Sequence, residues 1–119
     1  HYVEAPTTTC KFVFQMDDQE KMEYSQHVRQ HFADTVEAVK KYHAKLLVMD
    51  EVLDAVAMGM LSDEALAEFL RNRPEDLEVV MTGRAPTPCT DPLADYITRM
   101  QKVRHPFDKG LNARLGVEF

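Results

Sequence analysis

Leu46-Leu47-Val48-Met49 is an unbroken apolar run that ends in two carboxylates, Asp50 and Glu51. A strand written this way is expected to be buried on both faces, as in a parallel sheet, and to deliver its acids to the carboxyl end. In open α/β sheets that edge is where ligands bind. A second run, Leu77 to Met81, finishes on Thr82-Gly83-Arg84. Two strands that end in acids, a hydroxyl and a guanidinium constrain the chain to an α/β fold with a polar site along one sheet edge.

The segments between and around these strands read as helices. Asp17 or Asp18 can cap a helix, with Glu20 placed as the third residue of a capping box. Val28, Phe32, Val36 and Val39, backed by Met22, then follow the helical period to about His43. This predicts a long amphipathic helix over one sheet face. Val52 to Met60 suits a short helix with Gly59 near its end, and Ser62 caps another from Asp63 to about Asn72, whose buried stripe is Leu66, Phe69 and Leu70. Lys11 to Met16 alternates as a strand with Phe12 and Phe14 on one face, Glu78 to Thr82 is the next strand, and Ile97 to Val103 is expected to be the last. Gly83 to Asp91 holds two prolines and a Thr-Asp pair, so it predicts a loop leading to a short helix near Pro92–Asp95. The alternation of strands and helices implies a single α/β domain over residues 1–119, built on a mostly parallel sheet with flanking helices and right-handed crossovers.

Charge and length narrow the function classes. With 119 residues the chain buries roughly two-thirds of its unfolded surface, enough for one core. The net charge of −6 comes from scattered acids without a basic cluster, which argues against nucleic acid as a partner. No apolar run reaches the roughly 20 residues of a membrane helix, and no signal-peptide pattern opens the chain, so a cytosolic location is expected. Cys10 and Cys89 suggest reduced thiols rather than a disulfide framework.

Taken alone, the candidate site residues carry two readings each. Asp50 and Glu51 either hold Mg²⁺ beside a phosphate chain or simply end a strand in water. Arg84 suits multidentate phosphate binding but could be an ordinary surface arginine beyond a strand. Phe12 and Phe14 read most simply as core aromatics. His27 and His31 share a helix face, yet the acid of an H-E-x-x-H motif is missing between them, so they read as solvated helix residues. Nothing near Cys89 argues for an activated thiolate.

Taken in order, Asp50-Glu51, Asn72-Arg73-Pro74, Val80-Met81-Thr82-Gly83-Arg84, Ala94-Asp95 and the tail from Lys102-Val103-Arg104-His105-Pro106-Phe107 through Gly116-Val117-Glu118-Phe119 form a specific set. Together they resemble the ATP:corrinoid adenosyltransferases of the P-loop type, from about Lys11 to the last residue. The resemblance implies a P-loop or RecA-like α/β fold and transfer of the 5′-deoxyadenosyl group of ATP to the cobalt of a reduced corrinoid, with release of triphosphate. It places the Mg²⁺-associated acid at Glu51, with Asp50 beside it in the Walker B position, and makes Thr82, Gly83 and Arg84 polyphosphate or active-site-loop residues. It gives Phe12 and Phe14 the role of an aromatic pair against the lower face of the corrinoid, although the family commonly has Trp where this chain has Phe14. His105 would order the tail. A flavin-dependent reductant protein and a second copy of the chain are the implied partners.

The family's glycine-rich G-x-x-x-x-G-K-S/T loop has no counterpart here: Gly59, Gly83, Gly110 and Gly116 are the four glycines, and none precedes a Lys-Ser or Lys-Thr pair. The chain opens on His1, so it reads as the carboxyl-terminal portion of a longer protein, with the amino-terminal phosphate-loop unit missing. The strand of that unit normally lies beside Leu46–Met49, so Leu46, Val48 and Val80 are expected to present exposed apolar faces in this chain. Two rival readings stand beside the enzyme: a non-catalytic corrinoid-binding or dimerisation fragment, and a generic P-loop ATPase.

Overall fold

The computed structural model describes residues 13–112 and 114. Lys11, Phe12, Cys10 and the tail residues Ala113 and Gly116–Phe119 lie outside the described residues. The first regular helix, α1, runs Asp18–Tyr42 and begins as its sequence dictates. The Asp17 carboxylate accepts from Glu20 N–H at 2.8 Å, and the Glu20 carboxylate accepts from Asp17 N–H at 3.0 Å, a complete capping box. At the other end His43 turns left-handed, with φ 49°, and Ala44 N–H reaches back to the Val39 carbonyl at 3.1 Å. That closure satisfies a terminal carbonyl without a glycine.

Strand β1, Leu46–Met49, pairs in parallel with β2, Glu78–Met81, in the register Leu46↔Glu78 to Met49↔Met81. The long connection a parallel pair requires is supplied by α2, Val52–Ala57, and α3, Asp63–Arg71. Ser62 caps α3 through its hydroxyl, which accepts from Ala65 N–H at 3.3 Å. Arg73 closes the helix by donating from Nη1 to the Leu70 carbonyl at 2.8 Å, just ahead of Pro74. Leu66 is fully buried, and Met49, Leu53 and Leu61 complete the centre of the core. Phe32 of α1 meets Phe69 of α3 edge to face, with ring centroids 5.8 Å apart, which docks the long helix on the layer below.

Two expectations are corrected by the structure. Val13–Gln15 forms a 3-10 turn rather than a strand, closed by Met16 N–H on the Val13 carbonyl, and Phe14 is 80% exposed rather than a core aromatic. Met16 is the residue that buries itself there, so a single inward side chain replaces the alternation a strand would need. Ile97 to Val103 makes no strand: it finds no partner in the two-stranded sheet, and Met100 stands 92% exposed. Strand β1 is covered on one face only. Leu47 and Met49 face the helices, whereas Leu46 at 59% and Val48 at 58% share an open face with Val80. The exposure of Leu46, Val48 and Val80 is as expected from the sequence.

The remaining elements follow the sequence closely. Gly59, at φ 73°, ends α2 in a left-handed turn, and a short 3-10 turn at Asp91–Leu93 stands where a helix near Pro92–Asp95 was expected. A last 3-10 turn at Pro106–Lys109 is capped by His105, whose Nδ1 accepts from Phe107 N–H at 3.1 Å, while Lys102 and Asp108 pair at 2.7 Å. His105 thus caps the turn at Pro106–Lys109.

Candidate functional site at the carboxyl ends of the strands

The carboxyl ends of the two strands are tied to each other by one hydroxyl. Thr82 Oγ1 donates to Asp50 Oδ1 at 2.6 Å and accepts from Glu51 N–H at 2.8 Å. The first bond goes to a charged acceptor and is short accordingly. It commits one oxygen of Asp50 and fixes which way that carboxylate faces. Glu51 occupies the left-handed region, at φ 54° and ψ 19°, and stands at the N-cap of α2 without using its side chain as a cap. Its carboxylate is exposed, so the two adjacent acids are differently employed: Asp50 is anchored and Glu51 is open.

Gly83 and Arg84 join this edge through the first turn of α2. Leu53 N–H donates to the Thr82 carbonyl at 3.3 Å, and Arg84 N–H donates to Asp54 Oδ1 at 3.3 Å. Gly83, at φ 156°, lies so close to α2 that a β-carbon would sit 2.6 Å from Leu53 Cβ. Beyond Arg84 the chain passes along an open cleft of about 540 Å³, whose walls include Asp54, Met58, Asp63, Arg84 and Pro86. The strand edge thus brings together Asp50, Glu51, Thr82, Gly83 and Arg84. Phe14 sits on the turn ahead of α1, and Phe12 lies outside the described residues.

Asp54 and Asp63 are site-shaping residues that sequence reasoning missed. Both fall in the first turn of a helix, where an acid is favoured by the helix dipole regardless of any other duty. Asp63 accepts from the Thr87 hydroxyl and, through Oδ2, from Cys89 N–H at 3.1 Å. Burial works to raise its pKa, but the bonds from Thr87 and Cys89 outweigh it and hold the carboxyl below the usual aspartate range. Glu64 is likewise held low, chiefly by its 2.8 Å bond from Arg71.

Cys89 responds in the opposite sense. Its thiol lies among the carboxylates of Asp63 and Glu64, with Sγ 3.4 Å from Glu64 Oε2. Asp63 first, then burial and Glu64, push its pKa from 9.0 up to about 11. This is the reverse of an activated thiolate. The thiolate fraction below pH 9 falls roughly 100-fold, while the higher basicity returns up to about tenfold in nucleophilicity. In a Cys10→Ser chain, alkylation of Cys89 is therefore expected to run about tenfold slower when folded than when unfolded in urea. Because the folded pKa is the higher one, its contribution to stability is complete below pH 9.0 and disappears as pH rises through about 11. Equal alkylation rates in the two states would refute this placement of the thiol.

Among the described residues, no three His, Cys, Asp or Glu side chains gather as a metal cage. His31 is half-buried and His27 exposed on α1. No helix among these residues is long and apolar enough to cross a membrane.

Two acids and a hydroxyl, followed by Gly83 and Arg84, stand at the carboxyl ends of two parallel strands, the edge where open α/β sheets bind ligands. The family described as ATP:corrinoid adenosyltransferase BtuR/CobO/CobP matches the chain over residues 1–119. The chain is 27% identical over 116 residues to the corrinoid adenosyltransferase of Escherichia coli K12, an alignment covering 98% of this chain and 50% of that protein. It is 38% identical over 74 residues to the corrinoid adenosyltransferase of Pseudomonas aeruginosa, covering 62% of this chain and 36% of the relative. With the corrinoid adenosyltransferase CobA of Salmonella typhimurium the identity is 32% over 74 residues, or 62% and 38% of the two chains. The chain belongs to the ATP:corrinoid adenosyltransferase family, and it spans half the length or less of these relatives.

Proposed function

We infer that the protein to which this chain contributes transfers the 5′-deoxyadenosyl group of ATP to the cobalt of a reduced corrinoid. The observation that carries this reading is the family match over the whole chain, which includes the strand edge where Thr82 ties Asp50 to Glu51. In the reaction the cobalt(I) electron pair attacks C5′, the Co–C bond forms, the C5′–O bond breaks and triphosphate leaves. Cobalt is the nucleophile, so the protein needs no catalytic serine, cysteine or histidine; it needs positioning, charge neutralisation and a dry surface.

The donor set suits Mg²⁺. This ion is held by one or two carboxylates when phosphate oxygens and water complete its shell, and here one anchored and one open carboxylate stand at a solvent-accessible strand end. Glu51 would hold it, with Asp50 alongside. Bound there, the ion supplies positive charge to the triphosphate. Arg84 would contact phosphate oxygens, while Thr82 fixes the acids and Gly83 lets the loop pass close to α2. Phe12 and Phe14 would serve as the aromatic pair that meets the corrinoid; the exposure of Phe14 supports that use, since a buried ring could not meet a substrate. A flavin-dependent protein would supply the electron for cobalt(I), and the assembled enzyme would be a homodimer.

The test is a product balance on the full-length protein with Mg-ATP and chemically reduced corrinoid. One triphosphate per Co–C bond formed is expected. Release of ADP and orthophosphate independent of corrinoid would overturn the reading in favour of an ATP hydrolase. The aromatic pair makes a separate prediction. Displacing the lower axial ligand eases reduction to cobalt(I), so Phe14→Ala slows transfer at least tenfold more from Co(II) with a mild reductant than from preformed Co(I). Equal losses in both assays would make Phe14 a purely structural residue.

A further inference from the structure

We propose that Asp63 is a positioning residue for Arg84, acting through a polar clasp with Thr87, Thr90 and Cys89 that fixes the far end of the Arg84 loop. The inference rests on the reading of Arg84 as a phosphate-binding group. The loop is held at its near end by Arg84 N–H on Asp54 Oδ1, in the first turn of α2. Its far end is held by the first residue of α3, whose two carboxylate oxygens take the Thr87 hydroxyl and Cys89 N–H separately. Between the two anchors lie Ala85 and Pro86, with Pro88 immediately beyond Thr87. The prolines fix φ, so a segment pinned at both ends retains little freedom.

The far anchor is a small polar core rather than a surface contact. Thr90 is 2% and Thr87 7% exposed. Thr87 N–H donates to Thr90 Oγ1 at 3.2 Å, Thr90 N–H donates to Thr87 Oγ1 at 3.3 Å, and Asp91 N–H donates to the Thr87 carbonyl at 2.9 Å. The single hydroxyl hydrogen of Thr87 is committed to Asp63, so in the 2.7 Å contact between the two hydroxyls Thr90 is the donor. Asp63 thereby sets the sense of the whole array. A buried hydroxyl without its partner is costly, so removing the carboxylate loosens the turn rather than reshaping it. A guanidinium on a loosened loop spends less time where a phosphate meets it, and misplacement of about 1 Å can cost up to about 100-fold in rate.

The experiment is a double-mutant comparison in the full-length enzyme, reading kcat/KM for ATP together with the thermal midpoint. Asp63→Ala and the isosteric Thr87→Val are each expected to lower kcat/KM about tenfold in the wild-type background and less than twofold when Arg84→Ala is already present. Thr87→Val leaves α3 untouched and so serves if Asp63→Ala fails to fold. Equal losses in both backgrounds would overturn the clasp while leaving the phosphate role of Arg84 standing. Unchanged kcat/KM in Arg84→Ala itself would overturn that role and the clasp with it.

Discussion

Gly83→Ala is expected to destabilise the chain by about 3 kcal/mol, more than the same change at Gly59 or Gly110, where nothing lies within 4 Å of an added methyl group. Two costs coincide at this position. A β-carbon would sit 2.6 Å from Leu53 Cβ, 3.3 Å from Leu53 Cα and 3.2 Å from Asp54 N. Those atoms belong to the first turn of α2 and cannot swing aside as a side-chain tip could. Overpacking of this kind costs about 1–3 kcal/mol. The φ of 156° adds strain of about 1–3 kcal/mol for a residue with a β-carbon. Urea unfolding measures the sum: the midpoint falls while the slope is unchanged. Gly59→Ala is the control, because its φ of 73° is also left-handed but nothing lies within 4 Å of the added methyl group. It should cost only about 1 kcal/mol. Equal effects at the two glycines would show that α2 yields freely to Gly83.

Glu51→Gln in the full-length protein is expected to lower adenosyl transfer about 100-fold without loss of fold. The substitution removes a charge and keeps the shape. The carboxylate is exposed and does not cap α2, so stability has little to lose. An effect within about threefold, a cost under roughly 0.7 kcal/mol, would end its assignment as the Mg²⁺ acid. Thermal melts of the same variant separate the two quantities, since a collapse of the midpoint would attribute the lost rate to folding.

Much of the local architecture was legible because local rules set it. Asp17 and Glu20 announce the start of α1, Ser62 the start of α3, and two apolar runs the paired strands. The run at Ile97–Val103 carries apolar residues of the same kind and yet forms no strand, because a strand is defined by the partner it hydrogen-bonds and, among the described residues, none pairs with it. Phe14 was misplaced for a related reason: alternation over a few residues does not distinguish a strand from a turn that buries Met16 alone. At the site, residue types and spacing pointed to Asp50, Glu51, Thr82, Gly83 and Arg84. They did not reveal that Thr82 bridges the acids, or that Asp63 reaches across to Thr87, since those bonds join elements distant in sequence.

The backbone of Glu51 sets stability against use. A left-handed conformation suits glycine or asparagine, and a longer side chain with a β-carbon holds it at a cost of about 1 kcal/mol. A library of this chain sorted by thermal tolerance alone would therefore enrich the small turn-forming residues at this position and discard the one open carboxylate at the strand edge. On the function proposed above, sorting the full-length protein for adenosyl transfer would pull the same position back. Thermostabilisation of this scaffold is best directed to the open sheet face and the tail, leaving the strand-to-helix junction in its strained form.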